Sequence, residues 1–517
     1  MTYEKGFNIA TTKYDAVQKF GGKAYVRKAD GSDTLTVPAT AENGLTASMI
    51  SVSFNGDVGT TKKIRWFTSI DSDIMEKKAD GTYYEYGEKV PQSYIKYALD
   101  KDDVDKATPV LATSFNKDIE LPTIDLGIMY FNMSHRWKLY NVHEVKLEGL
   151  KDGKTYYYKL GNDAYGWTET YSFTSAEKGT FHFMAMTDIQ GSVEQNYVDS
   201  LPNLLTALKK MGDDEDDVAF IASMGDNVDN GKSIMQYTWW LDDQKQVWAN
   251  NTLVTLAGNH EKKGYSLSSV VAVPDDAVLQ ATGYYYSYDY GHAHFIVLDT
   301  NDLSDANDLS AQQIEWLKAD LEANKKAKWT IVMLHKGPYT AGSHAFDDDV
   351  IALRAQLTPI FAENGVDLVL QGHDHTYSVS EYIGADGKPT SSKKGVLYIN
   401  LGTMGDKFYN YIYSDAVTLK TYKKVDEKLQ KYLTKDGNLE LTETPVFADI
   451  KVQSGKITIK AYTIVDGEAV EIEEIVLKNG LSGGAIAGIV VGSVVGAGGI
   501  GVGLFFLLRK LKALKAA

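Results

Sequence analysis

The chain has 517 residues, more than one hydrophobic core normally holds, and its 44% apolar and 24% charged residues mark it as globular, not disordered. Its 53 Lys and Arg are outnumbered by 69 Asp and Glu, and the net charge of −16 argues against the basic surface that nucleic-acid binding requires. There is no cysteine, so thiolate catalysis, Cys-ligated zinc, iron–sulfur clusters and disulfides are excluded.

Residues 1–45 are polar and Thr-rich, and Met1–Ala10 lacks the apolar core of an export leader. From Met49 a period of two sets in. Ile50, Val52 and Phe54 alternate, then Ile64, Trp66 and Thr68, then Val145 and Leu147, then Tyr171 and Phe173. Turn pairs such as Asn55-Gly56 and Asp152-Gly153 separate these runs, which predicts an antiparallel sandwich over 46–176. Leu150 followed by Tyr156 has the spacing of a tyrosine corner in Ig-like and fibronectin-like sandwiches.

After Ser175 apolar runs alternate with amphipathic stretches, and each run ends in a polar motif. Phe181–Met186 leads into Thr187-Asp188-Ile189-Gln190-Gly191, and a helix is predicted over Val198–Met211. Val218–Met224 leads into Gly225-Asp226-Asn227-Val228-Asp229, followed by a predicted helix near Met235–Ala249. Leu253–Ala257 precedes Gly258-Asn259-His260-Glu261, and Phe295–Leu298 ends at Asp299. Trp329–Leu334, after a predicted helix Ala311–Lys325, ends at His335; Val366–Leu370, after a predicted helix Val350–Asn364, ends at Gly372-His373-Asp374-His375. Strand, motif and helix in repetition predict an α/β sheet with its ligands just beyond the strand ends.

Alternation returns over 440–478, with turns at Ser454-Gly455 and Asp466-Gly467, as a small C-terminal β element. Residues 484–508 carry no charge and are followed at once by Arg509, Lys510, Lys512 and Lys515. At about 1.5 Å per residue this run is long enough to cross a hydrocarbon layer of roughly 30 Å, so a single transmembrane helix with a basic cytoplasmic tail, 509–517, is expected. Positive charge stays on the cytoplasmic side, which places the preceding domains outside the cell membrane. Gly484, Gly488, Gly492 and Gly496 recur every fourth residue and would give that helix a flat stripe suited to self-association.

Asp188, Asp226, Asp229, Asn259, His260, His335, His373 and His375 thus collect at the predicted strand ends. Four of the ten histidines are among them. Oxygen and imidazole donors suit Zn, Mn or Fe, and carboxylates gathered in one place repel one another unless cations intervene.

The succession GDNVD, GNHE, LHKGPY and GHDH over about 180–380 resembles the calcineurin-like metallophosphoesterases. More narrowly, the chain resembles a bacterial purple acid phosphatase, whose fibronectin-like N-terminal domain matches residues that include YYEYGE and HEVKLEGLKDGKTYYYKLG. The resemblance implies an α/β fold, an αββα sandwich over 180–415 preceded by the fibronectin-like β-sandwich. It implies two divalent or trivalent metal ions (Fe, Mn or Zn), with Asp188 and His375 on the first, Asn259, His335 and His373 on the second, and Asp226 bridging. It also implies cleavage of phosphate monoesters by a metal-bound hydroxide, with His260 as general acid, Asp229 orienting it, and His344 contacting phosphate.

Gln190 stands where the general family has a metal-binding His, and could offer only an amide oxygen. Asp229 stands where purple acid phosphatases have a Tyr ligand, so no iron–phenolate colour is expected. Two rival readings remain open at this level: a phosphodiesterase or nucleotidase using the same site, and a metal-poor surface adhesion protein.

Overall fold

A computed structural model describes residues 16–18, 24–26, 47–69, 92–121, 136–163, 166–212, 218–263, 267–392, 394–409 and 444–478. The segment 484–508, expected to cross a membrane, and the tail 509–517 lie outside these, as does most of 1–45. Among the described residues no helix is long and apolar enough to cross a membrane.

The N-terminal module is built from two antiparallel sheets. One comprises Ser48–Ser53, Lys62–Ser69, Arg136–Leu147 and Thr113–Leu121; the other is centred on Thr155–Asn162, flanked by Tyr94–Ala98 and Tyr171–Thr174. The alternation seen in the sequence is the inward face: Ile50, Val52, Ile64, Trp66, Val145, Leu147, Tyr158 and Phe173 form one buried cluster. Lys151 N donates to the Tyr156 hydroxyl at 2.9 Å, the hydrogen bond of a tyrosine corner.

This module is bonded to the rest of the chain. Lys62 Nζ donates to Thr252 Oγ1 at 2.7 Å, Tyr158 donates its hydroxyl to Ala249 O at 2.6 Å, and Ser172 N donates to Asn250 Oδ1 at 2.9 Å. Arg65, buried, pairs with Glu144 and donates to Val271 O at 2.8 Å.

Beyond it the strands are β1 (Phe181–Met186), β2 (Ile221–Ser223), β3 (Leu253–Thr255), β4 (Val278–Leu279), β5 (Tyr284–Tyr290), β6 (Ala293–Val297), β7 (Trp329–Lys336), β8 (Leu368–Gly372), β9 (Tyr377–Val379), β10 (Leu397–Leu401), β11 (Val446–Val452), β12 (Lys456–Val465) and β13 (Glu468–Lys478). The long helices are α1 (Glu194–Gly212), α2 (Ala311–Ala323) and α3 (Asp348–Glu363). One sheet runs β3-β2-β1-β11-β12-β13 and the other β4-β5-β6-β7-β8-β10-β9. Their apolar faces share one core, in which Phe183, Phe220, Phe295, Met333 and Ile450 meet. The outer face of the second sheet buries Ile296, Val332 and Val369 against Leu317, Leu321, Leu353 and Phe361 of α2 and α3. Strands buried on both faces explain why these runs read as continuously apolar.

Three expectations are modified. The helix predicted near Met235–Ala249 is broken into Ile234–Thr238, a π-helical turn Trp239–Asp243, and Lys245–Trp248. The helix predicted from Val198 starts at Glu194. The C-terminal β element does not stand apart: β11 pairs antiparallel with β1, so β11–β13 extend the sheet that carries Asp188.

One strut stabilises the second sheet away from the strand ends. His294 on β6 is 3% exposed and bridges Asp289, 2.7 Å from Nδ1, and Asp320 of α2, 2.8 Å from Nε2. Burial alone would push the ring down, but the two carboxylates outweigh it and raise it to about 9. A pKa raised in the folded state stabilises fully below the ordinary value of about 6.5, and the contribution is lost as pH rises through about 9. His294→Gln is therefore expected to lower Tm near pH 6, with the gap to the parent closing by about pH 10 in melting curves.

Candidate metal centre

Asp188, Asp226 and His373 each follow a β-strand, with φ of 53°, 47° and 74°, and Gln190 has φ of 44°. Four of the seven non-glycine residues with positive φ among the described residues are these. Left-handed backbone costs a non-glycine residue on the order of 1–3 kcal/mol, so the surrounding bonds must hold it. They do: Asp188 Oδ2 accepts from His373 N at 3.0 Å, and Gln190 N donates to Asp226 O at 2.9 Å. Asp226 N donates to Glu261 Oε2 at 3.0 Å.

The ring tautomers follow from what each Nδ1 touches. His335 Nδ1 donates to Met224 O at 2.8 Å, so Nε2 presents its lone pair to Asp226 Oδ2 at 3.2 Å and Asn259 Oδ1 at 2.9 Å. His375 Nδ1 donates to Lys407 O at 2.5 Å, leaving Nε2 3.2 Å from Asp188 Oδ1. That carboxylate oxygen is buried and has no hydrogen-bond partner. Asp226, His335 and His373 offer ligand atoms within 4.8 Å of one another. Acceptors that face acceptors in a buried cleft need a proton or a metal ion between them, and this donor set suits Zn, Mn or Fe.

Electrostatics agree. Burial would raise the Asp226 carboxyl, but positive charge on His335 and His260 outweighs it and holds it well below the usual carboxylate range. The same carboxylate overcomes burial at His335 and raises that ring to about 9. A metal ion takes the place of such a proton. Burial, with repulsion from His335 and His344, keeps His373 well below its ordinary value, as a neutral ligand must be.

The structure brings Asp188, Asp226, Asn259, His335, His373 and His375 into one cleft, and His260 joins them. Its backbone N donates to Asp226 Oδ1 at 2.9 Å, and its Nε2 lies 3.9 Å from Asp226 Oδ2. Asp229 is bound to His260 chiefly through its backbone carbonyl, which accepts from Nδ1, and its carboxylate is 3.5 Å from that atom. His344 stacks on His373 with centroids 4.0 Å apart and pairs with Asp347 at 2.6 Å. Gln190 gives its oxygen to a lysine. Oε1 accepts from Lys407 Nζ at 3.2 Å, and Nε2 donates to His260 Nε2 at 2.8 Å and Asp229 Oδ1 at 3.2 Å.

Some contributors escaped the sequence reading. Glu261 is 1% exposed and its carboxylate accepts from the backbone N of Asp226, Asn227 and Gly258, so it fixes the Asp226 turn. Lys407 and Tyr409 follow β10 in GTMGDKFY, a polar motif after an apolar run that the strand-end rule would have found. Tyr409 stacks on His375 at 4.4 Å.

Gly258 has no room for a side chain, since a Cβ there would press on Asp226 N and Oδ1. Gly258→Ala is expected to displace the carboxylate and weaken metal binding roughly 10- to 100-fold, measurable by manganese titration calorimetry.

Residues 181–377 match the calcineurin-like phosphoesterase family, and residues 41–175 match the N-terminal domain of purple acid phosphatases. The chain carries a calcineurin-like metallophosphoesterase domain and a purple acid phosphatase N-terminal domain. Human acid phosphatase type 7 is 27% identical over 318 residues, 55% of this chain and 67% of that protein. A probable inactive purple acid phosphatase 9 from Arabidopsis thaliana is 25% identical over 282 residues, 45% of this chain and 42% of that one. The solved structure of purple acid phosphatase PPD1 from yellow lupin has the same fold, with a TM-score of 0.61 at 12% identity, covering 84% of this chain and 74% of that one. The chain is accordingly a metal-dependent phosphoester hydrolase by family and fold.

Proposed function

We propose that this metallophosphoesterase acts on phosphate monoesters, with Asp188 and His375 holding one ion, Asn259, His335 and His373 the other, and Asp226 both. The observation that carries the reading is the convergence of ligand atoms: Nε2 of His335 and of His375 each face carboxylate oxygens at 3.2 Å, with each Nδ1 tied to a backbone carbonyl. Two such ions, when bound, lower the pKa of water and draw charge from phosphoryl oxygens.

The chain's own residues then manage the proton. His260 Nδ1 is committed to Asp229 O, so Nε2 is the atom that passes a proton to the leaving oxygen. To do so it must take up a proton and release the Gln190 amide now donating to it. His344, stacked on His373, is placed to meet the phosphate.

The test is add-back of Mn, Zn or Fe to chelated protein, followed by turnover of a nitrophenyl monoester and a bis(nitrophenyl) diester. Metal-dependent hydrolysis that favours the monoester is expected. Diester preference would move the reading to a phosphodiesterase, and failure to take up any of these metals would favour an adhesion protein.

The uncharged run 484–508, followed by four basic residues, supports a single-pass anchor with the cleft outside the cell membrane. Release of the protein by alkaline carbonate, without detergent, would overturn that placement.

A further inference from the structure

Lys407 is held at the rim of the cleft from two sides. Its carbonyl accepts from His375 Nδ1, and its ammonium donates to Gln190 Oε1 at 3.2 Å. Nζ also lies 5.4 Å from the centroid of the Tyr409 ring, which stacks on His375. Gln190 in turn touches His260. The ammonium therefore sits between the arm that carries His260 and the arm that carries His375.

Its neighbours are an amide oxygen and a ring, and among the described residues it forms no ion pair with a carboxylate. In a chain with 69 acidic residues it shares this with buried Lys62, whose ammonium meets the Thr252 hydroxyl and the Phe54 ring, but Lys62 lies in the N-terminal module and Lys407 beside the cleft. Lys336 pairs with Asp349, and Lys63 with Glu144 and Asp275. A positioned cation without a counter-charge beside a phosphoryl site is a place for an anion, and lysine binds phosphate as a point charge.

We propose that Lys407 contacts the phosphoryl group of the substrate and selects dianionic monoesters over monoanionic diesters. This rests on the reading of the cleft as a phosphomonoesterase. A monoester carries between about one and a half and two negative charges near neutral pH, a diester one, so one extra cation favours the monoester. The Gln190 oxygen fixes where the ammonium waits, and the incoming phosphoryl oxygens become its further acceptors.

The test uses the metal-loaded full chain with Lys407→Met, Lys407→Arg and Gln190→Leu. Inorganic phosphate inhibition, KM and kcat for both nitrophenyl esters, and metal content by elemental analysis are measured. Lys407→Met is expected to weaken phosphate inhibition and raise monoester KM roughly 10- to 100-fold, with the diester changed less than about twofold and metal content unchanged. Lys407→Arg is expected to recover most of the loss. Unchanged phosphate inhibition, equal losses for both esters, or loss of metal in Lys407→Met would each overturn the proposal. Gln190→Leu, which loosens the ammonium without removing it, is expected to give a smaller loss in the same direction, and a larger loss of phosphate inhibition than in Lys407→Met would also overturn the proposal. Parent protein that takes up metal yet hydrolyses neither ester would instead sink the phosphomonoesterase reading itself.

Discussion

Asp226→Ala is expected to abolish metal retention and turnover together. The carboxylate is 2% exposed, 3.2 Å from His335 Nε2 and 3.9 Å from His260 Nε2, so it lies between these two rings. Its backbone is held in a left-handed turn by the Glu261 carboxylate, which places the side chain without help from the metals. Removing it leaves His335 facing only an amide oxygen, and removes the charge that would balance two cations. Activity should fall by more than about a thousandfold, beyond the 10²–10³ typical of losing one electrostatic stabiliser. Asp226→Asn is the sharper companion, keeping shape and removing charge. Elemental analysis and single-ester assays would check both. A variant that retains two ions per chain would show that the cations are held elsewhere.

The two layers of the fold differ in how openly the sequence displays them. The strand ends were legible because β1, β7 and β8 are buried on both faces, so each apolar run stops where the chain meets the polar cleft. The sandwich was legible because apolar and polar residues alternate: Tyr156 and Tyr158 lie between half-buried neighbours, and Ile50 and Val52 between Ser51 and Ser53, which are themselves buried. Pairing was not. Alternation in 446–478 identifies strands, but nothing local says that Ile450 lies opposite Phe183 and that the hairpins complete the sheet.

The site follows the same division. Metal-ligating residue types announce themselves, whereas Gln190 was ambiguous: an amide can present oxygen or nitrogen. Here the choice is set by Lys407, 217 residues away in sequence, whose ammonium claims the oxygen. Glu261 lies within GNHE, yet its role has no local signature, because its work is to accept backbone donors around Asp226, a relation visible only once the turn is folded. The π-turn Trp239–Asp243 was invisible for a related reason. Its apolar spacing reads as an ordinary helix, and the fold breaks it where Asp242 accepts from Met49 N of the N-terminal module at 2.6 Å.

His260→Ala is expected to keep the metals and lose turnover. The backbone N of residue 260, which donates to Asp226 Oδ1 at 2.9 Å, survives the substitution, so the Asp226 carboxylate stays in place. What disappears is the ring, whose Nδ1 is fixed by Asp229 O and whose Nε2 faces Gln190 and the cleft. If Nε2 delivers the proton to the leaving oxygen, the loss should be about 10²–10⁴-fold for an alkyl phosphate, whose alkoxide needs that proton. It should be much smaller for nitrophenyl phosphate, whose phenolate departs without one. Asp229→Asn should do little by comparison, since the carbonyl that fixes Nδ1 belongs to the backbone. Equal losses for both esters in His260→Ala would remove the ring from proton transfer and leave it a phosphate-binding or orienting role. Loss of metal would instead make it part of the cage, and the clean separation between the two substitutions, one emptying the cleft and the other silencing it, would fail.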